Sequence, residues 1–211
     1  MKKIILVLLA FLLFNSTFID ADFASNDLIN KVEKKYNKFA KNRFIALNRV
    51  LEKNKNSPTS VKLEKINDFF NSIKYGSDRD VYGASDYWAN PFEFLAKDKG
   101  DCEDYVIAKY LALEYLGIPR SKMFLSYVRL KGSNEAHMVL SYFETPKSEP
   151  LILDNVRKII FPASKRDDLT FVFNFNPNVS SSSSATANSK WNKMISQYKG
   201  QKIWVYLNRF Y

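Results

Sequence analysis

Lys99-Gly100-Asp101-Cys102-Glu103-Asp104-Tyr105-Val106-Ile107-Ala108-Lys109-Tyr110-Leu111-Ala112-Leu113 joins a reactive side chain to the helix that would carry it. Val106, Tyr110 and Leu113, flanked by Ile107 and Leu111, recur at helical spacing as a wide apolar face, and Leu116-Gly117-Ile118-Pro119 supplies the stop signals. Gly100-Asp101 stands at the start, so Cys102 falls in the first turn rather than within the apolar face. Unpaired N–H groups and the helix dipole favour an anion there, which suits a thiolate nucleophile. A free cysteine also serves as a small buried hydrophobe. The charged neighbours of Cys102 argue against simple burial, but position alone leaves nucleophile and incidental thiol both open.

Upstream, Val32, Tyr36, Ala40, Phe44, Leu47 and Leu51 recur every three or four residues and predict an amphipathic helix over 28–51. Leu63, Ile66, Phe70 and Ile73 predict a second one after Ser57-Pro58-Thr59. A loop over 75–87 follows, then a short helix with Asn90 as cap and Pro91 in its first turn. Downstream of the cysteine helix the period changes. Residues 124–130, 136–143, 151–154, 169–175 and 203–207 read as strands, with turns at Gly132-Ser133-Asn134 and around Pro146. The serine run at 180–184, extended to 189, reads as a low-complexity surface loop. Helices first and an antiparallel sheet after them predict an α+β domain.

Composition narrows the chemistry. The 211 residues are 46% hydrophobic and 15% aromatic with six Gly and seven Pro, which excludes wholesale disorder and collagen and leaves room for one substantial core. One cysteine excludes an intramolecular disulfide, and one histidine excludes multi-histidine zinc sites. Thiol or imidazole chemistry must therefore use Cys102 or His137. Met1-Lys2-Lys3, an apolar run over 4–14 and polar residues after it predict a secretory signal over 1–21, too short in its apolar part for a membrane span. Its cleavage site is poor, so an uncleaved inner-membrane anchor is the alternative. Residues 22–211 then form a single domain. The formal charge of +10 suits solubility, anionic surfaces or acidic partners, whereas export and the dispersed lysines disfavour nucleic acid.

His137 lies in the predicted strand Glu135-Ala136-His137-Met138-Val139-Leu140, and Asp154 ends the next apolar run, Leu151-Ile152-Leu153. The intervening turn allows the two strands to pair antiparallel, with imidazole and carboxylate within a few residues of register. A lone strand histidine is more often structural, and an aspartate at a strand end more often a turn residue. Together with Cys102, the three fit a hydrogen-bonded chain of thiol nucleophile, imidazole base and orienting carboxylate.

At these residues the sequence resembles the bacterial transglutaminase-like cysteine proteinases. The resemblance runs from Tyr87-Trp88-Ala89-Asn90-Pro91-Phe92-Glu93-Phe94-Leu95 through Gly100-Asp101-Cys102-Glu103-Asp104-Tyr105, and resumes at Ala136-His137-Met138-Val139-Leu140 and Leu151-Ile152-Leu153-Asp154-Asn155. It implies a papain-like core in the transglutaminase sense, with Cys102, His137 and Asp154 as nucleophile, base and orienter. It also implies a periplasmic endopeptidase that cuts a large RTX-type surface adhesin near its N-terminus, at a pair of alanines. Restraint by an inner-membrane cyclic-di-GMP receptor is implied as well. Tyr87 and Trp88 would lie near the site, binding the oxyanion or walling the cleft; a buried tryptophan anchoring a loop is the plainer role. Two other functions share the architecture: a cell-wall peptidase or amidase, and an inactive binding module.

Three acids flank the thiol. Asp101 and Asp104 have capping-box spacing, and carboxylates suit a first turn. So many negative charges should nevertheless raise the thiol pKa and oppose the helix terminus. A bound cation would relieve that conflict, and calcium suits an all-oxygen site. The resemblance likewise implies calcium on Asp101 and Glu103; Asp104, and oxygens from the Gly132-Ser133-Asn134-Glu135 turn, are added here on chemical grounds.

Overall fold

The computed structural model describes residues 22–178 and 185–199. The signal expected over 1–21 and the strand expected over 203–207 lie outside the described residues. The amphipathic stretch expected over 28–51 is two helices, α1 (Asn26–Lys35) and α2 (Lys38–Asn54). Asn37 divides them, because its side-chain oxygen accepts from the N–H groups of Phe39 and Ala40 at 2.9 Å and starts a new helix where apolar spacing reads straight through. α3 (Thr59–Phe70) follows. These helices bury Val32, Phe44, Leu47, Leu51, Leu63, Ile66 and Phe70.

The 75–87 segment is more ordered than expected. It begins at the end of β1 (Lys74–Tyr75) and contains α4 (Asp78–Tyr82). α5 (Pro91–Lys97) has the predicted start: Asn90 Oδ1 accepts from the Glu93 N–H at 2.7 Å, and the Glu93 carboxylate reaches back to Asn90. β2 (Lys99–Gly100) pairs parallel with β1, setting Tyr75 opposite Gly100. The chain is thereby delivered to α6 (Cys102–Tyr115), whose residues from Asp104 to Glu114 are all buried.

Gly100 is required by close approach. A Cβ there would overlap Asp104 Oδ2 and lie 2.7 Å from a ring carbon of Phe94. Gly100→Ala is expected to cost about 1–3 kcal/mol through overpacking. Thermal unfolding checks this, and a wild-type midpoint would contradict the close approach.

Five strands follow: β3 (Met123–Leu130), β4 (Ala136–Tyr142), β5 (Leu151–Leu153), β6 (Phe161–Pro162) and β7 (Leu169–Phe175). They form one sheet in the order β6-β5-β4-β3-β7, with every neighbour antiparallel. Strand alternation divides their side chains. Leu125, Met138, Leu140 and Leu153 join the main core with the apolar residues of α6, whereas Val128, Val139 and Ile152 form a second small cluster. This is the expected α+β architecture, with the cysteine helix packed on an antiparallel sheet that carries His137.

The serine-rich loop expected over 180–189 is replaced by helix from Ala185 onward. Residues 180–184 lie outside the described residues, and 185–189 are the first turns of α7 (Ala185–Lys199). The reason is apolar spacing that low complexity obscured: Ala187, Trp191, Met194 and Ile195 are buried. Trp191 meets Tyr110 and Phe175 edge-on at 5.5 and 6.3 Å.

Candidate active site

Cys102 opens α6 and is half-buried. The backbone of Met138 lies close enough to favour its thiolate, so the thiol faces the strand that carries His137. His137 is buried on β4, and its Nε2 is 2.8 Å from Asp154 Oδ1. The register explains the meeting: Leu140 pairs with Leu153, and Asp154 is the first residue beyond β5. With Nε2 taken by the carboxylate, Nδ1 is the ring nitrogen left to exchange a proton with a thiol.

Asp154 is held from every side. Its Oδ1 also accepts from the Val156 N–H at 3.0 Å, and its Oδ2 accepts from Arg166 Nη2 at 2.6 Å. Burial pulls its pKa up, but the bonds from His137, Val156 and Arg166 outweigh burial and hold it well below the usual carboxylate range. It therefore stays ionised.

The thiol is in the opposite situation. Burial pushes the Cys102 pKa well up, and the charges of Glu103 and then Asp101 push it further. In this state the thiol donates to Glu103 Oε2 at 3.1 Å. Burial and the neighbouring Glu103 and Asp104 likewise push Asp101 up to about 9, and burial pushes Asp78 up to about 6 and Asp104 well up. Ligand oxygens of Asp78, Asp101 and Asp104 lie within 4.8 Å of one another, as do those of Asp78, Asp86 and Glu103. Asp78 Oδ1 and Asp101 Oδ1 are buried without a hydrogen-bond partner. Orphaned carboxylate oxygens in a crowded acidic cluster fit a hard cation held by oxygens.

Asp104 also links the two sequence motifs, since its Oδ1 accepts from the Ala89 N–H at 2.8 Å and its Oδ2 from the Asp101 N–H at 3.3 Å. The second bond is half of the expected capping box, while Asp101 Oδ1 is left for another partner.

Residues 35–194 match the model of a protein family, the bacterial transglutaminase-like cysteine proteinases. The chain belongs to that family. LapG of Legionella pneumophila is 36% identical, with a TM-score of 0.71, over 84% of this chain and 99% of its own. Its calcium-bound form gives 38% identity and a TM-score of 0.70 over 82% and 98%, and its EGTA-treated form 36% and 0.71 over 84% and 99%. No curated protein matches the chain. As a bacterial transglutaminase-like cysteine proteinase, the protein is a cysteine protease with a transglutaminase-like core.

Within this family member, the residues singled out in the sequence divide. Asp101, Cys102, Glu103 and Asp104 stand together at the start of α6, and His137 and Asp154 meet on the adjoining sheet. Trp88 is buried against Phe175 at 6.3 Å, and the Tyr87 hydroxyl donates to Glu93 at 3.1–3.2 Å, so both hold the segment before α5. The turn at 132–135 adds no carboxylate to either acidic group; Asp78 and Asp86 do so from the other side. Sequence reading missed Asp78, Arg166 and Tyr75. Tyr75 is 63% exposed, and burial followed by the charges of Cys102, Asp101 and Glu103 raises its phenol pKa, which places an exposed aromatic ring near the thiol. The two-residue pairing of β1 with β2 that puts it there has no periodic signal.

Proposed function

We propose that the protein is an exported, calcium-dependent cysteine endopeptidase with the triad Cys102, His137 and Asp154. Its substrate is the N-terminal region of a large RTX-type adhesin, which the cut releases from the cell surface. The observation that carries the reading is the buried His137–Asp154 hydrogen bond beside the strand segment that touches the chain's one thiol. Asp78, Asp101, Glu103 and Asp104 would hold calcium, whose positive charge would let these acids remain ionised beside a thiolate; calcium-bound LapG supports that ligand.

In the reaction, His137 Nδ1 takes the thiol proton and the sulfur attacks the scissile carbonyl carbon. The tetrahedral intermediate collapses with cleavage of the C–N bond, the imidazolium gives its proton to the leaving amine, and a thioester remains on Cys102. Water, deprotonated by His137, then hydrolyses the thioester and restores the thiol. Asp154 keeps Nε2 protonated and the ring aimed, and stabilises the imidazolium.

The basic chain suits an acidic receptor domain, and sequestration by an inner-membrane cyclic-di-GMP receptor is part of the proposal. Purified protein incubated with N-terminal adhesin fragments in calcium should yield two discrete products, and incubation with muropeptides should yield none. Cleavage of muropeptides with intact adhesin fragments would overturn the assignment in favour of a cell-wall enzyme.

A further inference from the structure

Lys109 is fully buried on α6, seven residues beyond Cys102. Burying an amine is costly, and lysine is almost never fully buried unless something holds it. Its Nζ donates to Asn71 Oδ1 at 2.8 Å. With that oxygen engaged, the Asn71 amide turns its nitrogen the other way, and Nδ2 donates to the Asp154 carbonyl oxygen at 2.8 Å. One turn earlier on the same helix, the Tyr105 hydroxyl donates to the Ile73 carbonyl oxygen at 2.7 Å. Helix α6 thus grips the turn after α3 at two points, and that turn grips Asp154. Asn67, one turn back on α3, donates to the Lys158 carbonyl oxygen at 2.6 Å and holds the same loop further along.

Resting on the triad reading above, we propose that Lys109 is a positioning residue for the protease reaction, fixing the Asp154 backbone through Asn71 so that the carboxylate stays on His137. The helix that presents the thiol then also braces the far end of the triad. Burial pushes the Lys109 pKa down to about 7, against the opposing pull of Asp154. An amine donates hydrogen bonds in either protonation state, so the brace does not depend on the charge. Loss of the lysine frees the amide to turn, the peptide at Asp154 loses a buried donor, and the imidazole loses its fixed orientation. Misplacement by about 1 Å is enough for roughly a hundredfold loss of rate.

The chain's single histidine provides a readout besides turnover, because its ring N–H proton can be observed by NMR without assignment against other imidazoles. Lys109→Met and Asn71→Asp, each assayed well below its own thermal midpoint, are expected to lower kcat by roughly a hundredfold with KM within a factor of about two. Both should shift or broaden the His137 ring-proton signal. Asn71→Asp keeps an acceptor for Lys109 and removes only the donor to Asp154, so it preserves the packing if Lys109→Met does not fold. Wild-type kcat per folded molecule with an unmoved His137 signal would overturn the proposal. Should the wild-type enzyme cut no adhesin fragment, the functional reading fails by itself, and the His137 signal still decides whether Lys109 fixes the imidazole.

Discussion

Cys102→Ala is expected to abolish turnover while leaving the fold intact, and Asp154→Asn to lower kcat by about 10³–10⁴. The two effects have different causes. Removing the sulfur removes the atom that bonds to the substrate, so no compensating path through this site exists. Asp154→Asn keeps the shape of the side chain but presents an amide to His137 Nε2, which favours the wrong tautomer and gives the imidazolium no counter-charge. It also strips Arg166 of one of the two carboxylates it bonds, leaving Asp168, so some loss of stability accompanies the loss of rate. Steady-state cleavage of an adhesin fragment, scaled to the folded fraction, separates the two contributions. A Cys102→Ala protein that cuts at the wild-type rate would remove the nucleophile assignment.

Chelation is the second large effect. The thiol donates to Glu103, and burial and then the crowded acids hold its pKa high, an effect that a cation on those acids would relieve. EGTA should therefore suppress cleavage by at least the order of 10², the scale on which misdirecting one reacting group costs rate. Excess calcium should restore it. Because Cys102 is the one cysteine, iodoacetamide uptake measures this thiol alone, and it should be slow in EGTA and fast in calcium. The same acids fix the pH dependence. Asp101 and Asp78 have folded pKa values raised to about 9 and about 6, so without calcium the folded state binds more protons than the unfolded one over that range. Stability of the calcium-free protein should fall as pH rises from about 4 towards about 9, by linkage. Calcium competes with those protons, so its stabilising effect should grow over the same interval. Thermal midpoints in EGTA and in calcium at pH 5 and pH 8 check the sign. An EGTA midpoint that rises with pH, or calcium stabilisation that shrinks, would contradict the acidic cluster as the calcium site.

Local chemistry carried the sequence reading where it succeeded. The cap and proline at Asn90-Pro91, the stop at Gly117-Ile118-Pro119 and the apolar stripe of α6 are encoded within a few residues of where they act. Strand alternation brought His137 close to Asp154 because a short connection leaves few registers that bury both strands. What escaped was decided by polar groups or by distant pairing. Asn37 breaks the first amphipathic stretch by capping, while the apolar spacing runs on unbroken. Asp78 looks like a loop aspartate until α4 brings it to Asp101 and Asp104, and Arg166 looks like one surface cation among many until the loop after β6 folds it onto Asp154. Lys109 sits where helical periodicity expects an apolar residue, and the Asn71 oxygen, out of reach of sequence spacing, and the Tyr105 ring receive its amine. Serine content hid the start of α7, since composition outweighed the spacing of Ala187, Trp191 and Met194.

Cys102 is expected to form a covalent bond to the N-terminal side of the cut. Acid-quenched reactions of the calcium-loaded enzyme with an adhesin fragment, read by intact mass spectrometry, test that bond directly. The expected result is a transient species heavier than the enzyme by the mass of the N-terminal product less one water, carried on Cys102, accumulating in His137→Ala only slowly and absent in Cys102→Ala. Product release by wild-type enzyme with no adduct at any time, together with undiminished cleavage by Cys102→Ala, would contradict it.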